Sequence, residues 1–511
     1  MEITSKQGKV GIANRVQLLY LLVLAGAGAL YVFTCAPGML WQDSALLVYR
    51  IWHHDIQGNL GLALAHPLYI MVGVVFKHIP LGELAWRVNL VSVVFGAVAI
   101  ANLFLLLRLW LGRNLPAIIG ATTLAVSWTF WQNAVIAEIY TLYVALLFGE
   151  LIVLLQYIRT KGIGYLYLLG LLNGLAIANH MWAVFGLACY TVFSVVLLAR
   201  KQISLKHFGI IVLLWIIGAA PYEYLIIKNI ILSGDVWATL ASAAFGNLPE
   251  WQDAVLNRSI SMKMVLENIG FILLNFPTPN FVLFFVGLWA IRKKTVSRSF
   301  ANIVIAMLIL YFVFAFRYTV VDRHIFFLPF YCLVAILLAL GADVFLTRNN
   351  RKALAGAVLA FALLPIPIYA VTPALAKRTY KALGQRRQLP YRDDYKYFLQ
   401  PWKTGYWGAE RFADEALKSV DENAIIWADT TTAHALLYTQ QVKRKRQDVK
   451  IISTYDKSEN APVLNEDTVA VLMNDSALYV VSPLEDYCPK YLLERYDFVQ
   501  AGVLWRVVKR K

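Results

Sequence analysis

Charge is what this sequence has least of: Asp, Glu, Lys and Arg make up 15% of its 511 residues, where a soluble globular chain carries about 25%. With 59% hydrophobic residues beside so little charge, a water-soluble fold is excluded for most of the chain. Cysteine is equally sparse. Cys35, Cys189, Cys332 and Cys488 lie far apart with no metal-type spacing, so neither a disulfide framework nor a zinc site is read from them. No clear internal repeat occurs, which counts against a transporter built from repeated halves. The first apolar segment ends in "TCAPGML" without an A-x-A cleavage pattern, so it is read as a retained helix and not a signal peptide.

What is present is a series of apolar runs between residues 16 and 372, each close to the roughly 20 residues that cross a bilayer core. Eleven spans are expected: 16–36, 85–107, 115–132, 135–158, 165–180, 182–199, 207–228, 268–291, 300–316, 325–346 and 353–372. The alternative for the pair joined at "IANHMW" is two half-depth helices meeting inside the bundle. The net charge of +16 follows this topology. Arg15, Arg108, Arg113, Arg159, Lys161, Arg200, Lys201, Arg292 to Lys294 and Arg348 all fall on one side. Short loops rich in Lys and Arg stay in the cytoplasm. The excess charge is therefore a topology signal, and nucleic acid is not an expected partner. An odd number of spans with the N-terminus inside sends the C-terminal part outside.

On this arrangement the membrane-proximal carboxylates and histidines gather in the outer loops. "WQDSALLVYR" places Asp43 just after the first span, and His66 opens "HPLYIMVGVVFKHIP", an apolar run too short to span. "WTFWQNAVIAEIYTLY" carries Glu138 and Tyr140, "IANHMW" carries His180, and "FRYTVVDRHIFFLPF" carries Asp322, Arg323 and His324. Buried in a bilayer each ionisable group costs about 2.5–3.5 kcal/mol at a helix centre. Their convergence on one face points to a polar pocket opening outward beneath the long amphipathic loop 229–267.

Bland roles stand beside each residue. Asp43 would serve as an N-cap for the helix that follows; Glu138 would pair with Arg87 or cap the fourth span. Tyr140 would be an interfacial aromatic, His180 a core histidine, and Arg323 with His324 a snorkelling pair. Taken together, the groups suit acyl-free group transfer: an Asp general base deprotonating an acceptor hydroxyl, and Arg323 or a protonated His stabilising a phosphate leaving group. Outside the inner leaflet nucleotide sugars are scarce, so a lipid-phosphate donor is the natural source of a sugar.

These stretches resemble the GT-C glycosyltransferases, and more narrowly the family of transmembrane protein O-mannosyltransferases of animals and their uncharacterised bacterial relatives. "QDSALL", "LALAHPLYIMVGVVFKHIPLGELAWRVNLVSVVFGAV", "WTFWQNAVIAEIYTLYVALL" and "LLGLLNGLAIANHMW" carry the likeness over roughly the first 200 residues. The resemblance implies a polytopic α-helical GT-C-like domain over 1–372 and a small extracytoplasmic α/β domain over 373–511. It implies Asp43 as catalytic, and His66, Glu138, Tyr140, His180, Asp322, Arg323 and His324 as substrate-binding. The donor implied is a polyprenyl-phosphate sugar, with mannose suggested, and the acceptor a protein or glycan. Where the family carries Asp-Ser-Gly-Glu this chain has "DSAL", and its longer "HPPGYPLY" is here "HPLY". Leu46 in place of the second acid weakens any case for a metal, and no cofactor is expected. A flippase for a lipid-linked saccharide and a non-catalytic assembly subunit are the alternative readings.

The C-terminal stretch alternates "GAERFADEALKSV", "NAIIWAD", "TTAHALLYTQQV", "DVKIIST", "SALYVVSP", "DFVQAG" and "LWRVVKR". Helix and strand at this period predict a small α/β layer with a largely parallel sheet. It lacks a Gly-rich phosphate loop or nucleophile elbow, so acceptor docking or structural support is expected of it.

Overall fold

The computed structural model describes residues 2–247, 249–294, 296–320, 322–348, 352–379, 388–453, 466–485 and 487–510, with side chains from residue 14 onward. The chain opens with α1 (Glu2–Thr34), two short helices α2 (Asp43–His53) and α3 (Pro67–Lys77), and the long α4 (Leu84–Leu111). Next come α5 (Asn114–Ala125), α6 (Trp128–Ala134), α7 (Tyr140–Thr160), α8 (Ile163–Asn179), α9 (Ala183–Ala199) and α10 (Leu205–Ser233). A lateral pair, α11 (Val236–Phe245) and α12 (Pro249–Leu256), precedes α13 (Met262–Asn275) and α14 (Val282–Ala290). The helical part closes with α15 (Arg298–Arg317), α16 (Leu328–Arg348), α17 (Lys352–Leu363) and α18 (Pro365–Thr379).

Every expected span corresponds to helix, but not all are single crossings. Among the described residues seven helices are long and apolar enough to cross a membrane, or eight if α13 and α14 form one broken span. The expected span 268–291 bends by 108° between those two helices, where Pro277 and Pro279 interrupt the backbone hydrogen bonding. The expected span 115–132 breaks between α5 and α6 at Ser127. Helices α8 and α9 have 17 residues each, about 25 Å of rise against a core of about 30 Å.

Small residues let these helices touch backbone to backbone. A side chain on Gly287 would run into the Leu337 carbonyl, and one on Gly341 into that of Leu283. Glycine at both is what allows α14 and α16 to cross this closely, as membrane helices with no hydrophobic drive between them require. On α7, the buried Glu150 accepts from Asn173 Nδ2 of α8 (3.2 Å) and from the Tyr190 hydroxyl of α9 (3.0 Å). Trp215 Nε1 of α10 donates to Asn173 Oδ1 (3.1 Å), so four helices share one satisfied polar seam.

The two ends of the bundle differ in charge. At one end Arg113 and Lys294 both pair with buried Asp343, at 2.9 and 3.0 Å, and Trp110 Nε1 donates to the Lys294 carbonyl. The opposite end carries α2, α3 and the turns at 135–139, 180–182 and 322–327. The Ala36 N–H bonds the Val135 carbonyl, Asn179 Nδ2 the Ile139 carbonyl, and Asn247 N–H the Leu60 carbonyl.

Past the bundle, α19 (Asp394–Leu399) and α20 (Gly408–Lys418) lead into β1 (Ile425–Ala428), α21 (Ala433–Gln441) and β2 (Lys450–Ser453). Then follow α22 (Glu466–Asp475), β3 (Leu478–Val480), α23 (Lys490–Arg495), β4 (Tyr496–Ala501) and β5 (Leu504–Lys509). The five strands order β2-β1-β3-β5-β4. β1 is parallel to β2 and β3, but β5 is antiparallel to β3 and β4. The sheet is therefore mixed, not largely parallel. The cause is local: Ala501 faces Leu504 across a two-residue turn in which Gly502 takes φ +59°, and a turn that tight permits only antiparallel strands. Helix α18 runs through Pro373 to Thr379, across the position expected as the domain boundary.

The aromatic linker between bundle and sheet caps α1. Lys403 N–H bonds the Thr34 carbonyl (2.9 Å), Thr404 Oγ1 the Phe33 carbonyl (3.1 Å), and the Trp402 ring lies 5.2 Å from Trp131.

Candidate active site

Asp43 begins α2, and Gln42, not Asp43, holds the N-cap position, with no side-chain cap bond. Helix capping is thereby removed as the explanation for the acid. Gln42 has φ 55° and ψ −129°, a backbone state that a residue with a Cβ holds at a cost of about 1–3 kcal/mol. The Asp43 side chain keeps open surface although protein surrounds it, so it faces a recess and not bulk solvent. This enclosure, together with the charge of Asp322, pushes its carboxyl up to about 6.

Two further acids share that recess. Glu138, in the turn before α7, is raised well above the usual carboxylate range by burial, then by Asp43 and Asp322. Asp322 is raised by its own burial. Like charges this close do not all ionise, and the first proton to leave belongs to the group rather than to one residue. Glu138 is anchored through its backbone: its N–H donates to Ser92 Oγ (3.1 Å), and that hydroxyl donates back to the Glu138 carbonyl (2.9 Å). It does not meet Arg87, whose guanidinium goes to the Lys77 and Ile79 carbonyls. Nor does it cap α7, where Ile139 is the N-cap residue.

The histidines form a second group beside the acids. His66 and His180 stack at 5.2 Å between ring centres, and Tyr140 lies 5.8 Å from His180. His66 Nδ1 bonds the Asn179 carbonyl (2.9 Å); a carbonyl only accepts, so Nδ1 carries the proton and Nε2 keeps its lone pair. His180 Nδ1 accepts from the Trp182 N–H (3.0 Å), which makes its Nε2 the protonated nitrogen. One histidine thus offers an acceptor and the other a donor. Burial pushes His66 down to about 4, the Asn179 bond opposing and Arg50 adding to the fall. His324 is likewise lowered to about 4 by burial. A protonated His66 or His324 is therefore not the cation expected for a phosphate.

The run Asp322-Arg323-His324 is split three ways. Asp322 joins the acids, Arg323 is ion-paired with Glu267 and lies 5.6 Å from the Phe271 ring, and His324 packs against Trp128 (4.9 Å) and Phe271 (5.8 Å). Sequence reasoning missed Arg50. It donates to the Asp55, Leu64 and Ala65 carbonyls (3.2, 3.2 and 2.7 Å) and so fixes the chain entering His66. Its signal was present, since Arg50 sits seven residues after Asp43 in the same short helix. Glu267 had no motif to mark it.

Comparisons with known proteins bear on the family and the fold. The family model described as the N-terminal domain of protein O-mannosyl-transferase TMEM260 matches residues 62–205, a range with His66, Glu138, Tyr140 and His180 but not Asp43. Protein O-mannosyl-transferase TMEM260 of Mus musculus is 25% identical over 213 residues, 40% of this chain and 30% of that protein. The chain therefore aligns with less than a third of its curated relative's length. The crystal structure of ArnT from Cupriavidus metallidurans bound to undecaprenyl phosphate superposes with a TM-score of 0.61 at 14% identity, covering 95% of this chain and 97% of that one. Its apo form gives 0.61 at 12% identity, covering 98% of each chain. This chain has the GT-C fold. The structural likeness covers the bundle and the sheet alike.

Proposed function

We propose that this chain is a GT-C glycosyltransferase that moves one sugar, with inversion, from a polyprenyl-phosphate donor to a hydroxyl of a protein or glycan acceptor. The observation that carries the reading is Asp43: an enclosed carboxylate, raised to about 6, facing a recess shared with Glu138, Asp322 and the His66–His180 pair. The ArnT structure with undecaprenyl phosphate supports a polyprenyl carrier, and the mouse relative's name supports mannose on protein as the first pair to test. The basic end around Arg113 and Lys294 supports a cytoplasmic placement for that end, by the loop-charge rule. The site and the sheet then lie outside.

In the reaction, ionised Asp43 takes the proton of the acceptor hydroxyl as its oxygen bonds to the anomeric carbon. The bond from that carbon to the phosphate oxygen breaks, and its electron pair leaves with the lipid phosphate. Glu138, its carboxyl raised well above the usual range by burial, hydrogen-bonds a sugar hydroxyl. His66 Nε2 and His180 Nε2–H orient the same substrate, and Tyr140 packs against it. Arg323 receives the phosphate; half-exposed Glu267 holds the guanidinium until the donor displaces it. Asp322 raises Asp43 toward the working pH, where a general base is most effective.

The test is incubation of the purified full chain with radiolabelled undecaprenyl phosphate mannose and Ser/Thr-rich peptides. Transfer to peptide that is lost in Asp43→Asn supports the reading. Donor binding without transfer, for mannose and for other hexoses on the same carrier, would overturn it.

A further inference from the structure

The C-terminal layer touches the first loop at the residue that aims the proposed base. The Gln42 N–H donates to the Thr431 carbonyl (3.2 Å), which lies in the loop leaving β1. In open α/β sheets that loop position ordinarily serves a ligand; here it holds a strained backbone. The Met39 N–H donates to Glu410 Oε1 (2.9 Å), and Glu410 Oε2 accepts from Lys443 Nζ (2.6 Å). Lys443 reaches on to Glu83 (3.1 Å), tying the same anchor to the start of α4. Trp41 Nε1 donates to the Tyr406 hydroxyl (2.7 Å), and its ring lies 5.5 Å from Phe412. The far end of α2 is held too, with the Tyr49 hydroxyl donating to Gln441 Oε1 (3.1 Å).

Glu410 is buried, and Gly38 is packed against it so closely that a Cβ there would collide with its carboxylate and with the Trp407 ring. Gln42 makes no side-chain cap bond to α2. Its left-handed conformation, and with it the direction of Asp43, is held by hydrogen bonds from 365 to 392 residues away in sequence.

We propose that Glu410 and the Thr431 carbonyl are positioning groups for Asp43, so that the C-terminal layer completes the active geometry through the 38–42 turn. This rests on the reading of Asp43 as the general base. Glu410→Ala frees Met39 and loosens the turn, and a base displaced by about 1 Å costs on the order of 10²-fold in rate. The KM for the donor should stay within about twofold, because the phosphate contact lies on Arg323. Glu410→Gln keeps an oxygen for the Met39 N–H and should retain kcat within a few-fold. Adding Gln42→Gly to Glu410→Ala should recover part of kcat, since glycine holds φ 55° without strain.

A second readout needs no activity. Cysteines at 42 and 431 in an otherwise intact chain report the clamp by disulfide formation under mild oxidation, and Glu410→Ala should lower that yield. Undiminished kcat in Glu410→Ala overturns the proposal. So does a loss of kcat that Gln42→Gly leaves untouched and that a lowered melting temperature explains. If the wild-type chain transfers no sugar, the functional reading falls alone. The clamp is then judged by the cross-link, and an unchanged yield in Glu410→Ala overturns it.

Discussion

At Asp43 the pH dependence follows from burial and from one neighbouring charge. The raised carboxyl, near 6, is protonated and idle below that value and becomes a base above it. Transfer should therefore rise with pH through about 6 along an acid limb. Asp322→Asn removes the like charge, lowers the Asp43 value, and should move that limb to lower pH; a limb that stays in place would detach it from Asp43. Asp43→Asn should slow transfer by roughly 10²–10⁴-fold with donor binding unchanged. The fold should survive it, because Asp43 makes no cap bond to α2. Glu267→Gln tests the donor end. It removes the anion that competes for Arg323, so the apparent Kd for undecaprenyl phosphate should fall, and a weaker Kd would remove Arg323 from the phosphate contact.

Among the helices, the seam around Glu150 joins four elements by hydrogen bonds made inside the membrane, where an unmet donor has no water to turn to. Glu150→Ala orphans Asn173 Nδ2 and the Tyr190 hydroxyl, at about 1–3 kcal/mol for each buried group left unpaired. Glu150→Gln keeps one acceptor oxygen. Thermal unfolding of the detergent-solubilised chain should rank wild type above Glu150→Gln and Glu150→Ala lowest. Equal melting temperatures would mean that packing alone, such as the close crossing at Gly287 and Gly341, holds these helices.

For the whole molecule the decisive measurement is sidedness. Lys418, exposed on α20, and Ser299, exposed at the start of α15, lie at opposite ends of the proposed topology; Gln385, which the expected topology also places outside as a labelling position, falls outside the described residues. A membrane-impermeant thiol reagent added to intact cells should label Lys418→Cys and spare Ser299→Cys. Labelling of Ser299→Cys instead would invert the topology and put the site inside.

The apolar runs and the loops that carry the acids were legible because each is a property of a short stretch of chain: hydropathy selects helices and leaves the polar loops between them. The motifs around Asp43, His66, Glu138 and His180 were legible for the same reason. Contacts between remote segments were not. One outer pocket for Asp43, Glu138 and Asp322 was expected from the loops, but not that groups 95 and 279 positions further along the chain come within reach of each other's charge and raise the carboxyls of Asp43 and Glu138. The neighbours in "DRH" looked like one cluster, but a tight turn sends successive side chains to different partners, and Glu267 claims the arginine. The broken span at α13–α14 and the antiparallel half of the sheet turned on a few Pro and Gly residues whose effect depends on what packs around them. Composition and periodicity determined a membrane-embedded bundle with a polar end. Only tertiary structure decided which groups share the recess, because burial and charge proximity, which set their protonation, are properties of the packed chain.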